Sequence, residues 1–188
     1  DSAGVSYVQG GKLSVIRAPG KLSGLEKKLE SQHVFSATCG MGHTRWATHG
    51  PPVEKNAHPH LDHTGKLAII HNGIIENYQE IKAELAAEGC EFRSDTDSEV
   101  LVNLIAKGMK LHGGDVMQAL SWALGRVEGA YAIVLMSVDH PGTLWATRVA
   151  SPLVMGIGTG ENFLGSDIPA FLPYTREVVF LEDGELVR

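Results

Sequence analysis

Residues 130–138 read Ala-Tyr-Ala-Ile-Val-Leu-Met-Ser-Val, an apolar run with the length and composition of a buried β-strand. This run opens a series of short β-type segments, separated by Gly, Pro, Asp or Asn, at 130–138, 143–148, 153–157, 163–166, 178–181 and 185–187. Upstream of the series, apolar residues recur at helical spacing in 77–88, 97–110 and 115–126. Helices in the middle and strands gathered at the end do not alternate as βαβ units. The order therefore predicts an α+β fold, with helices packed on a largely antiparallel sheet.

The first part of the chain adds further strands. Two β-type runs, 4–9 and 12–17, flank Gly10-Gly11 and predict a hairpin. Leucines at helical spacing among lysines predict an amphipathic helix over 22–31.

Between that helix and the central helices, the sequence predicts three more short strands. One covers 38–48 and leads into a Pro-rich loop at 50–64. Another covers 66–71 and ends at Asn72-Gly73, a dipeptide typical of a hairpin turn. A third short strand is predicted over 90–94.

Length and composition describe one ordinary globular domain over 1–188. A net charge of −6 argues against a general nucleic-acid binder, which would carry a basic face. No apolar run is long enough for a membrane helix, and the N-terminus has no features of a signal peptide. Two cysteines are too few for a disulfide framework, so we expect free thiols and a cytoplasmic location.

The stretch Gly42-His43-Thr44-Arg45-Trp46-Ala47-Thr48-His49-Gly50 concentrates polar, cationic and aromatic groups. A buried strand would alternate instead. Arg45 offers a planar donor fork that suits a carboxylate, and Thr48 and His49 add donors at the strand end. The alternative interpretation is an edge strand with an ordinary Arg–carboxylate pair.

Histidines are dense in His58-Pro59-His60-Leu61-Asp62-His63, which offers three imidazoles and a carboxylate to a metal ion. The proline and the loop context favour a polar loop instead, because no helix brings these side chains to one face.

Two further segments have both a structural and a chemical interpretation. Asn72-Gly73 is either a turn or a pair of donors, one side-chain NH2 and one backbone N–H, that could hold an oxyanion. Ser94-Asp95-Thr96-Asp97-Ser98-Glu99 precedes a helix and fits a capping box, either Ser94 with Asp97 or Thr96 with Glu99. Capping by one pair leaves a carboxylate available for a ligand ammonium.

Taken together and in this order, the segments closely resemble the glutaminase domain of the glutamine:fructose-6-phosphate aminotransferase family. The matching stretches are His-Thr-Arg-Trp-Ala-Thr-His-Gly at 43–50, Asn-Ala-His-Pro-His at 56–60, His-Asn-Gly-Ile-Ile-Glu-Asn at 71–77 and Ser-Asp-Thr-Asp-Ser-Glu at 94–99. Shorter matches continue at Gly129, Ser151 and Gly160, so the resemblance runs from Asp1 to Arg188.

The resemblance implies an N-terminal-nucleophile hydrolase fold, a four-layer αββα sandwich of antiparallel sheets between helical layers. It also implies roles for individual residues in binding glutamine. Arg45, Thr48 and His49 would hold the α-carboxylate and Asp97 the α-ammonium. Asn72 and Gly73 would form the oxyanion hole, and Trp46 would lie near the passage by which ammonia leaves.

The sequence departs from the family pattern at the nucleophile, which in the family is an N-terminal cysteine. The resemblance implies that this chain lacks the first strand and helix that follow that cysteine, and lacks the sugar isomerase domain. We therefore expect residues 1–188 alone to be inactive. The full enzyme would make glucosamine 6-phosphate from fructose 6-phosphate and glutamine, as a homodimer without metal or organic cofactor.

Two alternatives to a glutamine-hydrolysing domain stay open at this point. One is a non-catalytic glutamine-binding or regulatory domain, in which the pocket persists without the chemistry. The other is a metal-binding module around His58, His60 and His63.

Overall fold

The structure is a computed structural model that describes residues 1–32, 37–46 and 50–188. The helices are α1 Leu22–Glu30, α2 Tyr78–Ala87, α3 Asp97–Leu111 and α4 Val116–Leu124. The first strands are β1 Ser2–Gln9, β2 Lys12–Pro19, β3 Gly40–Arg45, β4 His60–Leu61 and β5 Leu67–Ile75. The later strands are β6 Gly129–Ser137, β7 Leu144–Val149, β8 Val154–Ile157, β9 Asn162–Gly165, β10 Val178–Phe180 and β11 Leu186–Val187.

The strands form three sheets, and every ladder between these strands is antiparallel. The largest sheet has the order β11-β7-β6-β5-β4. A second has the order β2-β1-β3, and a small third has the order β10-β8-β9. The prediction of helices with a largely antiparallel sheet is confirmed.

Three apolar clusters divide the molecule into layers. One face of the five-stranded sheet, with Ile69 and Ile133, packs against α2, α3 and α4. The opposite face, with Ala68 and Val134, packs against Met41 of the β2-β1-β3 sheet. The outer face of that sheet packs against α1 through Leu25. The order of layers is helices, sheet, sheet, helix, so the expected αββα sandwich is confirmed.

Period-two alternation explains how one strand serves two layers. Successive side chains of a strand point to opposite faces of its sheet. In β5, the odd-numbered Leu67 and Ile69 lie in the helix-facing cluster, whereas Ala68 lies in the cluster between the sheets. Burial on both faces explains why 66–71 has an apolar run instead of an alternating pattern.

Most predicted elements are confirmed within a residue or two, but the segment around the expected turn at 72–73 differs. Strand β5 does not end before Asn72-Gly73, because β6 continues the ladder to Ile75. The predicted strand at 90–94 is absent from the structure. The loop at 50–64 contains the short strand β4 and a 3-10 helix at Glu54–Asn56.

The capping contacts at the start of α3 show which of the acidic residues near Thr96 takes part in the cap. Thr96 is the N-cap, and its hydroxyl accepts a hydrogen bond from the Glu99 backbone N–H. The Glu99 carboxylate reaches back to the backbone N–H groups of Arg93 and Ser94. Of the two predicted pairings, Thr96 with Glu99 is therefore the one formed, and the Asp97 side chain is not used as the cap. None of the helices in the described residues has both the length and the apolar character needed to cross a membrane.

Candidate active site

A cavity of about 590 Å³ opens where the two large sheets and the start of α3 meet. Its lining includes the end of β3, the end of β5 and the first turn of α3. Residues from four of the segments singled out in the sequence line it, among them Arg45, His58, Asn72 and Asp97. The fold thus brings together side chains that lie up to about fifty positions apart in the chain.

Asn72 and Gly73 lie near the end of β5, before its last two residues, and face this cavity from the five-stranded sheet. The ladder with β6 continues past Ile75, where the Glu76 N–H donates to the Glu128 carbonyl. Backbone N–H groups of an antiparallel strand alternate between its two edges. The Gly73 N–H therefore lies on the edge away from β6, like the Ile75 N–H, which donates to Asp97. A backbone donor that is not used in the ladder with β6 therefore lies next to the Asn72 amide, which is the pairing that an oxyanion hole requires.

Gly73 cannot be replaced without strain, because its φ is +119°. A Cβ at this position would lie 2.0 Å from the carbonyl oxygen of Ala130 in β6. The close approach of the two strands therefore requires a glycine here.

Arg45 ends β3, is 4% exposed and lines the cavity. Burial lowers the pKa of its guanidinium, and the negative charge of Asp97 opposes that effect. Trp46 lies at the cavity with 84% of its surface exposed, so its indole belongs to no apolar core. Thr48 and His49, the other predicted carboxylate ligands, lie outside the described residues.

Asp97 is the first residue of α3 and is buried. One carboxylate oxygen accepts a hydrogen bond from the Ile75 N–H at 2.9 Å and lies 3.9 Å from Nδ1 of His71. The helix N-terminus adds positive potential at this point. The result is an anion held opposite Arg45 in one cavity, as the two ends of an α-amino acid would require.

A cluster of four histidines packs beside the cavity: His58, His60 and His71 are buried, and His43 is partly buried. The rings of His43 and His58 lie 4.4 Å apart, and His58 packs edge-on against His60 at 4.7 Å. The Ser98 hydroxyl contacts Nε2 of His58 and Nδ1 of His71, each at 2.9 Å. Burial is the main cause that lowers the pKa of three of these imidazoles. The pKa of His43 is lowered, that of His58 lies well below its usual value, and that of His60 falls to about 3. We infer that these three rings are neutral at pH 7.

Asn56 ties the loop after β3 to the loop before α3. It is fully buried, and its Nδ2 donates to the Pro51 carbonyl and to the Asp95 carboxylate. The Asp95 N–H donates in return to Oδ1 of Asn56 at 2.9 Å. Because Arg45 lies at the start of one loop and Asp97 just past the other, this amide keeps the two charged groups in register.

The histidines considered as metal ligands are divided between different partners. His58 and His60 turn inward to Ser98 and Thr96, whereas His63 contacts Asn103. No group of three or more His, Cys, Asp or Glu side chains in the described ranges is arranged to hold a metal ion. The polar-loop interpretation of this segment is the one that the contacts favour.

Sequence reasoning considered His58 only as a metal ligand and gave Ser98 no role, yet both residues line the cavity beside the predicted ones. The signal was available for His58, since it belongs to the Asn-Ala-His-Pro-His stretch that matches the family. For Ser98 the sequence offered no signal other than its position at the start of a predicted helix. Cys39 and Cys90 are free and half-buried, and neither lines the cavity.

The family model of the glutamine amidotransferase domain matches residues 43–173 of this chain. That stretch covers most of the chain and contains every residue of the cavity named above. The chain therefore belongs to the glutamine amidotransferase domain family.

The relatives point to one group of enzymes. The chain is 49% identical over 186 residues to the glutamine--fructose-6-phosphate aminotransferase [isomerizing] of Aquifex aeolicus, covering 99% of this chain. It is 50% identical over 188 residues to the protein of the same name from Thermus thermophilus. In both cases it spans about 30% of the relative's length. It is thus similar to the glutaminase domain of these enzymes.

Solved structures share the fold at lower identity. The B. subtilis glutamine phosphoribosylpyrophosphate amidotransferase superposes with a TM-score of 0.75 at 24% identity, covering 98% of this chain and 40% of that one. A glutamine aminotransferase class-II domain protein from Silicibacter pomeroyi superposes with a TM-score of 0.68 at 17% identity, covering 98% of this chain and 85% of that one. These similarities confirm the amidotransferase fold.

Proposed function

We propose that residues 1–188 form the glutamine-hydrolysing domain of an enzyme that makes glucosamine 6-phosphate from fructose 6-phosphate and glutamine. One observation carries the proposal: the same cavity is lined by the buried side chains of Arg45 and Asp97 and by the Asn72-Gly73 pair, to which we assign the role of oxyanion donors. The sugar phosphate would be handled by an isomerase domain outside these residues. We place the enzyme in the cytoplasm, in keeping with the free thiols of Cys39 and Cys90. We also expect a homodimer, as the resemblance implies.

Glutamine would be held by its amino-acid end. The Arg45 fork would donate hydrogen bonds to the α-carboxylate, with Thr48 and His49 as additional donors, and the Asp97 carboxylate would accept hydrogen bonds from the α-ammonium. Both charged groups are buried, so water screens their interaction with the ligand weakly. A ligand that lacks one of the two charges would form only one of these two charge-assisted contacts and would bind more weakly.

The side-chain carboxamide would extend to the end of β5. A cysteine thiolate would attack the carboxamide carbon, and the carbonyl oxygen would take up the negative charge between Nδ2 of Asn72 and the Gly73 N–H. As this intermediate collapses, the leaving nitrogen takes up a proton, which the free α-amine of the same N-terminal cysteine would supply as the resemblance implies. The C–N bond then breaks, ammonia leaves past Trp46 and a glutamyl thioester remains. Water then hydrolyses the thioester to glutamate and frees the thiolate.

The thiolate would come from an N-terminal cysteine preceding these residues, as the resemblance implies. Neither Cys39 nor Cys90 lines the cavity, and burial raises the pKa of both thiols, which disfavours the thiolate. The same observation keeps a second candidate function open: a domain that binds glutamine for regulation without hydrolysing it.

Two preparations separate these functions. Purified residues 1–188 are expected to bind glutamine but to release no ammonia from it. The second preparation joins the segment that begins with the family's N-terminal cysteine ahead of Asp1, and we call it the extended protein. It is expected to release ammonia from glutamine. Glutamine binding without ammonia release by the extended protein would favour the regulatory function.

A matched pair of variants tests the binding mode. Asp97→Asn removes the charge but leaves an oxygen for the Ile75 N–H, so we expect glutamine affinity to fall about 10- to 150-fold, as for the loss of one charge-assisted contact. Asp139→Asn is the control, because Asp139 is an exposed carboxylate that does not line the cavity. Titration calorimetry on 1–188 measures both. Equal affinities in the two variants would contradict the ammonium role of Asp97.

A further inference from the structure

His43 connects the two sheets at the point where the proposed oxyanion hole is built. It lies on β3, paired with Gly4 of β1, while Asn72 lies on β5 of the other sheet. Nε2 of His43 is 2.8 Å from Oδ1 of Asn72. This side-chain contact spans two layers of the sandwich and ends on the amide that faces the cavity.

The chemistry of the two groups determines the direction of this bond. An amide oxygen only accepts hydrogen bonds, so Nε2 of His43 must carry the proton and donate it. With Oδ1 engaged, the other end of the Asn72 amide, Nδ2, is directed away from His43. A free amide could rotate by half a turn and present its oxygen to the cavity instead, where it would repel a developing oxyanion.

The surroundings of His43 favour the neutral form of its ring, in which only one nitrogen carries a proton. The imidazole is largely buried, with the His58 ring 4.4 Å away and the Arg45 guanidinium close by. Burial, as the larger cause, and the Arg45 charge lower the pKa of His43, while its interactions with the Asn72 side chain and the His71 backbone oppose them. A neutral imidazole carries one N–H, so donation from Nε2 specifies a single tautomer.

We propose that His43 is a positioning residue for the oxyanion hole: its Nε2–H holds Oδ1 of Asn72 so that Nδ2 faces the glutamine carboxamide. This inference rests on the proposed function, since it presumes that Asn72 stabilises an oxyanion. It gives His43 an effect on the chemical step and none on the binding of glutamine, because the oxyanion forms only after attack.

Two amide substitutions differ only in reach and test the proposal in the extended protein. The Gln side chain places an N–H close to the position of Nε2, whereas the Asn side chain is one methylene shorter. We expect His43→Asn to lower kcat about 10- to 100-fold, less than the full loss of an oxyanion donor. His43→Gln should recover most of that loss, and KM for glutamine should stay within about threefold of the parent in both. His140→Asn, at an exposed turn position, is the control with unchanged kcat.

A double substitution distinguishes positioning from general damage. In the Asn72→Ala background the amide is gone, so His43→Asn should lower kcat no further. An equal loss of kcat in both backgrounds, or parent-level kcat for His43→Asn, would overturn the proposal. Thermal unfolding of each variant shows whether a loss of activity reflects a loss of folded protein.

A second measurement needs no activity. In residues 1–188, nitrogen-15 NMR of the histidine rings should show His43 as the neutral Nε2–H tautomer at pH 7. The Nδ1–H tautomer would overturn the proposed bond. If the extended parent protein releases no ammonia, the proposed function fails, and the tautomer still decides whether His43 donates to Asn72.

Discussion

Gly10 and Gly73 both have positive φ angles, 58° and 119°, but they lie in opposite surroundings. Gly10 and Gly11 form the two-residue turn between β1 and β2, where Gln9 pairs with Lys12. A Cβ on Gly10 would meet no atom within 4 Å, whereas a Cβ on Gly73 would meet the Ala130 backbone. At Gly10 a glycine is needed only for the positive φ angle. At Gly73 it is needed for the positive φ angle and also for the absence of a side chain, because two strands and the cavity converge there.

The Gly10-Gly11 turn and the segment 71–73 also differ in what surrounds them. Open solvent surrounds the turn at Gly10-Gly11. The segment 71–73 is backed by buried histidines and by the first turn of α3, where His71 contacts Ser98. Changes at the hairpin should therefore have small, local effects, and changes at the end of β5 should have large ones.

The largest effect is expected from Gly73→Ala. The added methyl would clash with the Ala130 carbonyl at an unfavourable φ, which we expect to cost about 3 kcal/mol or more of folding free energy. For a chain of this size that corresponds to a decrease in Tm of about 6–12 °C. Gly10→Ala is the matched control, with the same substitution at positive φ but open space, and a cost of about 1–2 kcal/mol. Equal losses in Tm would show that the close approach at Gly73 has no energetic consequence.

The second-largest effect is expected from Asn72→Ala, which should lower activity and leave stability almost unchanged. Loss of one oxyanion donor lowers kcat about 10²–10³-fold in comparable hydrolases. Asn72 is exposed to the cavity, so its Tm should stay close to that of the parent. Steady-state ammonia release by the extended protein measures kcat, and KM for glutamine should change little. A normal kcat would mean that this position has no role in the chemistry.

Lowering the pH should reduce the free energy of unfolding through the buried His60, whereas the β1–β2 hairpin contains no histidine. The pKa of His60 is about 3 in the folded chain, mainly because of burial, and about 6.5 when unfolded. Between these values the unfolded chain binds a proton that the folded chain does not. The free energy of unfolding should therefore fall with decreasing pH, by about 1.4 kcal/mol per pH unit from this residue.

His60→Gln removes the titrating group while keeping a side chain that can reach Thr96. Urea denaturation at pH 7, 6, 5 and 4 should show a shallower loss of stability in this variant than in the parent. Above pH 7 the two curves should run parallel, since both unfolded chains are then neutral at this position. Identical slopes from pH 6 to pH 4 would contradict a buried, neutral His60.

The smallest effect is expected from Gly10→Asn. The turn has positive φ at both of its residues, and Asn-Gly is a favoured sequence for that geometry. The free energy of unfolding should stay within about 0.5 kcal/mol of the parent, a change in Tm of about 1–2 °C. A loss as large as that of Gly73→Ala would remove the contrast between the two glycines.

The sequence alone determined the elements whose signals are local. Helical spacing predicted α3 and α4, and the Gly10-Gly11 hairpin follows from turn chemistry between two short β-type runs. The ordered motifs also predicted the family, because a set of spaced residue types is specific even where each alone is ambiguous. These predictions depend on interactions within a few residues or on the pattern of the whole chain.

Only the tertiary structure decided what Asn72-Gly73 does. The dipeptide has the composition of a turn, but Ala132 and Tyr131, about sixty residues later, pair with it and keep it extended. The same long-range packing gives the cap of α3 to Thr96, directs Asp97 to the Ile75 N–H and brings His43 to Asn72. A local pattern cannot predict these contacts, because the free energy that selects them comes from strands and helices that meet only when the sandwich closes.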